Sequence, residues 1–237
     1  MATMTQDSDD PILHHWIERL QDRDDGKRIH AATVLASLGS RARNAVPALI
    51  EALGDGSPAV RRMAALALGE LGHEGRAAIP ALVELLQDKN DGVRRRAVMT
   101  LIAFGPDARP AASALVLVLE DPDPLVRRWA VAALGEIGPA APAAIPVLIA
   151  TLADDDVKTR AVTAAALVKM GSRAVPELVD AMHHLDPKVR RCAVQTLGKI
   201  GSGPDIEAAL LARLQDGDVD VVAAAHEALR RLTKTTS

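Results

Sequence analysis

The feature that most constrains this chain is an internal repeat. The stretch Val126-Arg127-Arg128-Trp129-Ala130-Val131-Ala132-Ala133-Leu134-Gly135-Glu136-Ile137-Gly138 recurs six more times, sometimes degraded. Its last glycine stands at Gly39, Gly72, Gly105, Gly138 and Gly171, each step being 33 residues, and then at Gly201 after a step of 30. A unit of this size cannot bury its apolar face alone and has to stack on copies of itself. The repeat therefore decides the architecture before any single motif is weighed.

Each unit reads as two helices. The first carries a short apolar motif, Val46-Pro47-Ala48-Leu49, Ile79-Pro80-Ala81-Leu82, Ile145-Pro146-Val147-Leu148 or Val175-Pro176-Glu177-Leu178; Ala112-Ser113 and Glu207-Ala208 hold the same slot without proline. A proline there either opens the helix or kinks it after one turn. A link follows with Asp22, Asp55, Asp88, Asp121, Asp154 or Asp216, the exception being His184. Two residues on comes a column of Asp24, Ser57, Asn90, Asp123, Asp156, Asp186 and Asp218. All of these types cap helix starts by accepting from free backbone N–H groups, so a second helix is predicted to begin at each. Within that helix Arg28, Arg61, Arg94, Arg127, Arg160 and Arg190 mark position zero, with Val222 breaking the series. Three residues on stand Ala31, Ala64, Ala97, Ala130, Thr163, Ala193 and Ala225, and seven on stand Leu35, Leu68, Leu101, Leu134, Leu167, Leu197 and Leu229. With Leu38, Leu71, Phe104, Ile137, Met170, Ile200 and Leu232 ten on, they form one stripe of the helix and the predicted core.

The link aspartates, the Val-Arg-Arg-x-Ala-x-x-Ala-Leu-Gly-x-Ile-Gly helix and the Val/Ile-Pro-x-Leu helix resemble a HEAT repeat of the phycobilin-lyase-like kind, over nearly all of residues 11–234. The resemblance implies an all-α fold: a right-handed α-solenoid of about seven HEAT-like helical hairpins, forming one domain over residues 11–234 behind a disordered tail at residues 1–10. It also implies that the second helices line a concave side, and that the link aspartates and zero-position arginines form a ladder tying neighbouring repeats.

Positions that pack must repeat, because each unit meets the same neighbours, whereas positions free of packing can differ. Offsets one, two, five and nine of the second helix share the side opposite the leucine stripe. In the middle repeats they place Met63, Leu66, Met99 and Trp129 beside Arg62, Arg95, Arg96 and Arg128. Exposed Trp, Met and Arg together are the composition of an interface core. The expectation is a face that binds an acidic, partly apolar segment of a protein partner.

Other chemistry finds little support. Two Trp, one Phe and no Tyr leave few platforms for stacking bases, and a net charge of -3 argues against nucleic acid, whose affinity would fall steeply with salt. Gly198-Lys199 lacks the glycine spacing of a phosphate loop, and His73-Glu74 lacks the second histidine of a zinc motif. Some HEAT-like enzymes resemble this fold and hold iron through several His-Glu pairs; here only His73-Glu74 and His226-Glu227 occur. His14-His15 and His183-His184 read as solvated helix ends, because adjacent helical residues point about 100° apart. No catalytic residue, metal or cofactor is expected. The lone Cys192 fits a reducing compartment, the polar start is unlike a signal peptide, and the run from about Ala111 to Leu119 is too short to span a bilayer. These features point to a cytoplasmic, non-enzymatic scaffold with no membrane partner. The second reading, implied by the resemblance, is a tetrapyrrole lyase or chaperone subunit. Val222, Thr233 and the charged Arg230, Arg231 and Lys234 suggest a polar end cap and hence a monomer.

Overall fold

The computed structural model describes residues 10–201 and 203–235, with the backbone alone at 234 and 235. The expected tail therefore lies outside the described residues apart from Asp10, as does the Lys234 side chain. The described residues form fourteen α-helices and no strand, arranged as seven hairpins. The first helices are α1 (Pro11–Arg19), α3 (Val46–Ala52), α5 (Ile79–Leu85), α7 (Ala112–Leu117), α9 (Ile145–Thr151), α11 (Val175–Ala181) and α13 (Pro204–Ala212). The second helices are α2 (Asp25–Leu38), α4 (Pro58–Glu70), α6 (Asp91–Phe104), α8 (Pro124–Ile137), α10 (Val157–Met170), α12 (Pro187–Ile200) and α14 (Val219–Thr235). Two compact units divide between Leu115 and Val116, and each is described by itself.

Local chemistry sets the ends of these helices. Asp24, Asn90, Asp123, Asp156, Asp186 and Asp218 accept hydrogen bonds from N–H groups of the turn they open, for example Asn90 Oδ1 from Val93 N at 3.2 Å. Ser57 holds the same position but makes no side-chain cap bond. Asp10 caps α1, accepting from Ile12 N at 2.9 Å. Pro47, Pro80, Pro146 and Pro176 stand in the first turn of their helices and so open them rather than kink them. At the far end a glycine of positive φ stands one or two residues beyond the end of every second helix from α2 to α12, +53° at Gly105 and +59° at Gly138, a conformation that a residue with a Cβ rarely adopts. The span Asp91–Glu120 has the length and apolar composition of a membrane crossing. It is nevertheless four elements in succession, α6, a 3₁₀ segment, α7 and a second 3₁₀ turn, interrupted at Gly105.

The predicted stripe is the core of both units. Leu35, Leu68 and Leu101 in the first unit and Leu134, Leu167 and Leu197 in the second are all 0% exposed, as are the small residues four positions before them. Leu229 is the exception and is half-buried. In the first unit α2 packs on α4 and α4 on α6; in the second, α8 packs on α10, α10 on α12 and α12 on α14. Small residues permit the close approaches. A Cβ at Gly198 on α12 would lie 2.5 Å from the Ala228 Cβ on α14, and one at Gly135 on α8 would lie 2.9 Å from the Ala166 Cβ on α10.

Candidate partner-binding face

The arginine ladder fixes how the second helices sit within each unit. Arg28 forks onto Asp55 through Nε and Nη2 at 2.7 and 2.9 Å, and Arg61 onto Asp88 at 2.7 and 2.8 Å. In the second unit Arg127 Nε reaches Asp154 at 3.1 Å, and Arg190 forks onto Asp216 at 2.9 and 2.7 Å. Each aspartate also accepts the N–H two residues on, as Asp55 does from Ser57 at 2.8 Å. Burial is the largest influence on the Asp55 and Asp88 carboxyls and raises them, but the hydrogen bonds from Arg28 and Arg61, the N–H groups of Ser57 and Asn90 and the neighbouring arginine charges together outweigh it and hold both below the usual carboxylate range. In Asp216 the bond from Arg190 comes first and has the same effect.

With the ladder and the leucine stripe on their respective sides, the second helices present their remaining side outward. In the first unit α4 contributes Arg62, Met63 and Leu66, and α6 contributes Arg95, Arg96 and Met99. Arg62 is exposed and Met99 is 36% exposed, while Met63, Leu66, Arg95 and Arg96 are half-buried. Arg95 pairs with Asp91 on its own helix at 2.7 Å. Arg62 and Arg96 make no hydrogen bond or ion pair among the described residues, and the Arg62 guanidinium lies over Gly92 at the start of α6.

In the second unit α8 contributes Arg128 and Trp129, both half-buried. Arg128 is not free: its Nη2 donates to Asp156 Oδ2 at 2.6 Å, and its Nε is buried without a partner. Asp156 thereby caps α10 and joins α8 to it. The Thr159 hydroxyl first and Arg128 second hold its carboxyl well below the usual range. That pairing was not foreseen, although a capping acid one repeat after an offset-one arginine is a signal that could have suggested it. Farther along, the same side of α10 and α12 carries Ala161, Val162, Ala165, Arg191, Cys192 and Gln195. Burial pushes the Cys192 thiol up, against the pull of Arg191 and Arg160.

Also unforeseen is an aromatic contact at the first hairpin. Trp16 meets His15 and His30 edge to face, with ring centroids 5.2 and 5.1 Å apart. His14 pairs instead with Glu18 at 3.2 Å. Among the described residues no three His, Cys, Asp or Glu side chains gather as a metal site requires.

A family model described as HEAT repeats matches residues 13–102, 79–167 and 145–230, overlapping windows that take in nearly the whole chain. No curated protein matches the sequence. Among solved structures, a chain of the complex of CpcE and CpcF of phycocyanin lyase from Nostoc sp. PCC7120 is 26% identical, with a TM-score of 0.59 over 99% of this chain and 98% of that one. Importin beta is 17% identical, with a TM-score of 0.71 over 94% of this chain and 36% of its own. Kap95p, described in its binding to RanGDP, is 15% identical, with a TM-score of 0.69 over 94% of this chain and 34% of its own. The last two likenesses concern the fold alone, an α-solenoid.

Proposed function

The chain belongs to the HEAT-repeat family, and from that premise we propose that it is a non-catalytic scaffold that captures a protein partner on the open side of its second helices. The partner segment this side suits is acidic and partly apolar. What carries the reading is the first unit's pairing of two arginines that lack a polar partner, Arg62 and Arg96, with an exposed Met99. Guanidinium groups without an internal carboxylate can fork onto one from outside. Methionine adapts its shape to whatever apolar group accompanies it. Met63, Leu66 and the Asp91-paired Arg95 extend this patch, and on α8 Trp129 offers a second, apolar one beside Arg128, whose guanidinium is already engaged by Asp156. A chain similar in fold, Kap95p, binds a protein, RanGDP. The reading has the protein acting in the cytoplasm as a monomer.

The test is affinity purification from the native cell, with mass spectrometry of what is captured, repeated with the Arg62→Glu, Arg96→Glu, Met99→Ala triple variant. The variant is expected to lose the captured protein while keeping its helicity and melting temperature. Equal capture by both proteins rejects the patch.

A second reading, a subunit of a tetrapyrrole lyase or chaperone, is favoured by the likeness to the phycocyanin lyase complex over nearly the full length of both chains. Mixing the protein with a bilin and following absorbance separates the two, since only the lyase reading expects a spectral shift.

A further inference from the structure

Among the described residues the ladder has one open rung. At Arg28, Arg61 and Arg190 the same construction recurs. Nη1 is anchored by two carbonyls of the preceding link, at 2.8 and 3.2 Å for Arg28, 2.8 and 3.3 Å for Arg61, and 2.9 and 3.0 Å for Arg190. The opposite edge, Nε and Nη2, then forks onto the aspartate of the next link. Arg160 is anchored in the same way, its Nη1 donating to the carbonyls of Asp154 at 2.6 Å and Asp155 at 3.0 Å. No carboxylate of a described residue meets its other edge, because the next link carries His184 where the others carry aspartate.

His184 performs only half of the aspartate's task. Its Nδ1 accepts the Asp186 N–H at 3.0 Å, as Asp55 Oδ1 accepts that of Ser57, but it supplies no pair of oxygens to a guanidinium. Glu177 does not substitute: it makes no hydrogen bond with a described residue, and its Oε2 is buried without a partner. Among the described residues Arg160 has no partner beyond the two carbonyls, and none of its nitrogens is both buried and unsatisfied, so its Nε and Nη2 edge meets solvent. The surroundings carry further positive charge. Arg191 and Lys199 act on the nearby Cys192 in the same sense as Arg160, with Asp186 opposing them.

We propose that Arg160 is an open oxyanion-binding position, where a carboxylate or phosphate from outside the chain takes the place that Asp55, Asp88 and Asp216 fill for the other rungs. The guanidinium is held by its carbonyl anchors in the orientation that elsewhere binds two oxygens, so little freedom is lost when a ligand arrives. The site belongs to a link of the second unit and does not depend on the patch of Arg62, Arg96 and Met99 in the first.

The experiment follows the arginine Nε–H signals of the ¹⁵N-labelled protein by NMR, with Arg160→Lys used to assign the Arg160 signal. Sodium acetate and inorganic phosphate are titrated separately at constant ionic strength. The Arg160 signal is expected to shift saturably in the millimolar range, while those of Arg28, Arg61 and Arg190, whose edges are filled, stay in place. Saturation by acetate assigns a carboxylate ligand, and saturation by phosphate alone assigns a phosphoryl oxyanion. His184→Asp should close the rung and weaken the response at least tenfold, whereas His184→Asn, which keeps an acceptor for the Asp186 N–H, should preserve it. An Arg160 signal that moves no more than those of the three closed rungs overturns the proposal. So does a response that survives unchanged in a folded His184→Asp protein.

Discussion

The second helices of the two units, α4 and α6 on one hand and α10 and α12 on the other, agree on one side and differ on the other. On the packed side Ala64, Leu68, Ala97 and Leu101 correspond to Thr163, Leu167, Ala193 and Leu197, and all eight are 0% exposed. On the open side Arg62, Met63, Leu66, Arg95, Arg96 and Met99 give way to Ala161, Val162, Ala165, Arg191, Cys192 and Gln195. A stacked repeat meets the same neighbour each time, so its buried side is held constant. The other side meets fewer fixed contacts, such as that of Arg128 with Asp156, and it is there that recognition can diverge.

The largest effects should come from attacking the side on which the units agree. Leu101→Ala and Leu167→Ala are each expected to cost about 2–5 kcal/mol in urea unfolding, and Leu229→Ala, half-buried in the last helix, distinctly less. If Leu101 and Leu167 differed as much from each other as from Leu229, the equivalence of the two cores would fail.

Next comes the contact that distinguishes particular stacks. Gly198→Val should cost about 1–3 kcal/mol through overpacking against Ala228, whereas valine at Gly56, where a Cβ meets nothing within 4 Å, should leave packing undisturbed. Comparable losses at both positions would mean that the close approach of α12 and α14 is not limiting.

The ladder aspartates and the capping Asp156 together predict an acid limb. Asp55, Asp88, Asp156 and Asp216 all have folded-state values below the ordinary one. The unfolded chain therefore binds the extra protons, and the stabilisation is fully present above the unfolded value near ~3.9. It is lost as pH falls from there through the depressed folded values. Urea midpoints should thus drop steeply below about pH 4, and the drop should be shallower in Asp156→Asn. A midpoint independent of pH in that range would remove both the ladder and the Asp156 cap from the account.

The smallest effect on stability belongs to the open side. Arg96→Ala and Met99→Ala should stay within about 0.5 kcal/mol of the parent while weakening partner capture. A loss of several kcal/mol would show that these side chains serve packing instead.

Much of this was legible in the residue order. The glycine column, the capping acids and the leucine stripe are local signals, each acting within one or two helical turns, and the helices begin and end where those signals stand. Even the irregular His184 was visible as a break in its column. Its consequence was not, because Arg160 and the missing carboxylate belong to different repeats. The same holds for Arg128 and Asp156, 28 residues apart, and for Gly198 and Ala228. Sequence alone determined the hairpins and which side of each helix is buried, since periodicity and capping are properties of a short stretch of chain. Only the tertiary structure decided which arginines are paired and which remain open, because a guanidinium finds its partner across the distance that stacking sets between neighbouring repeats.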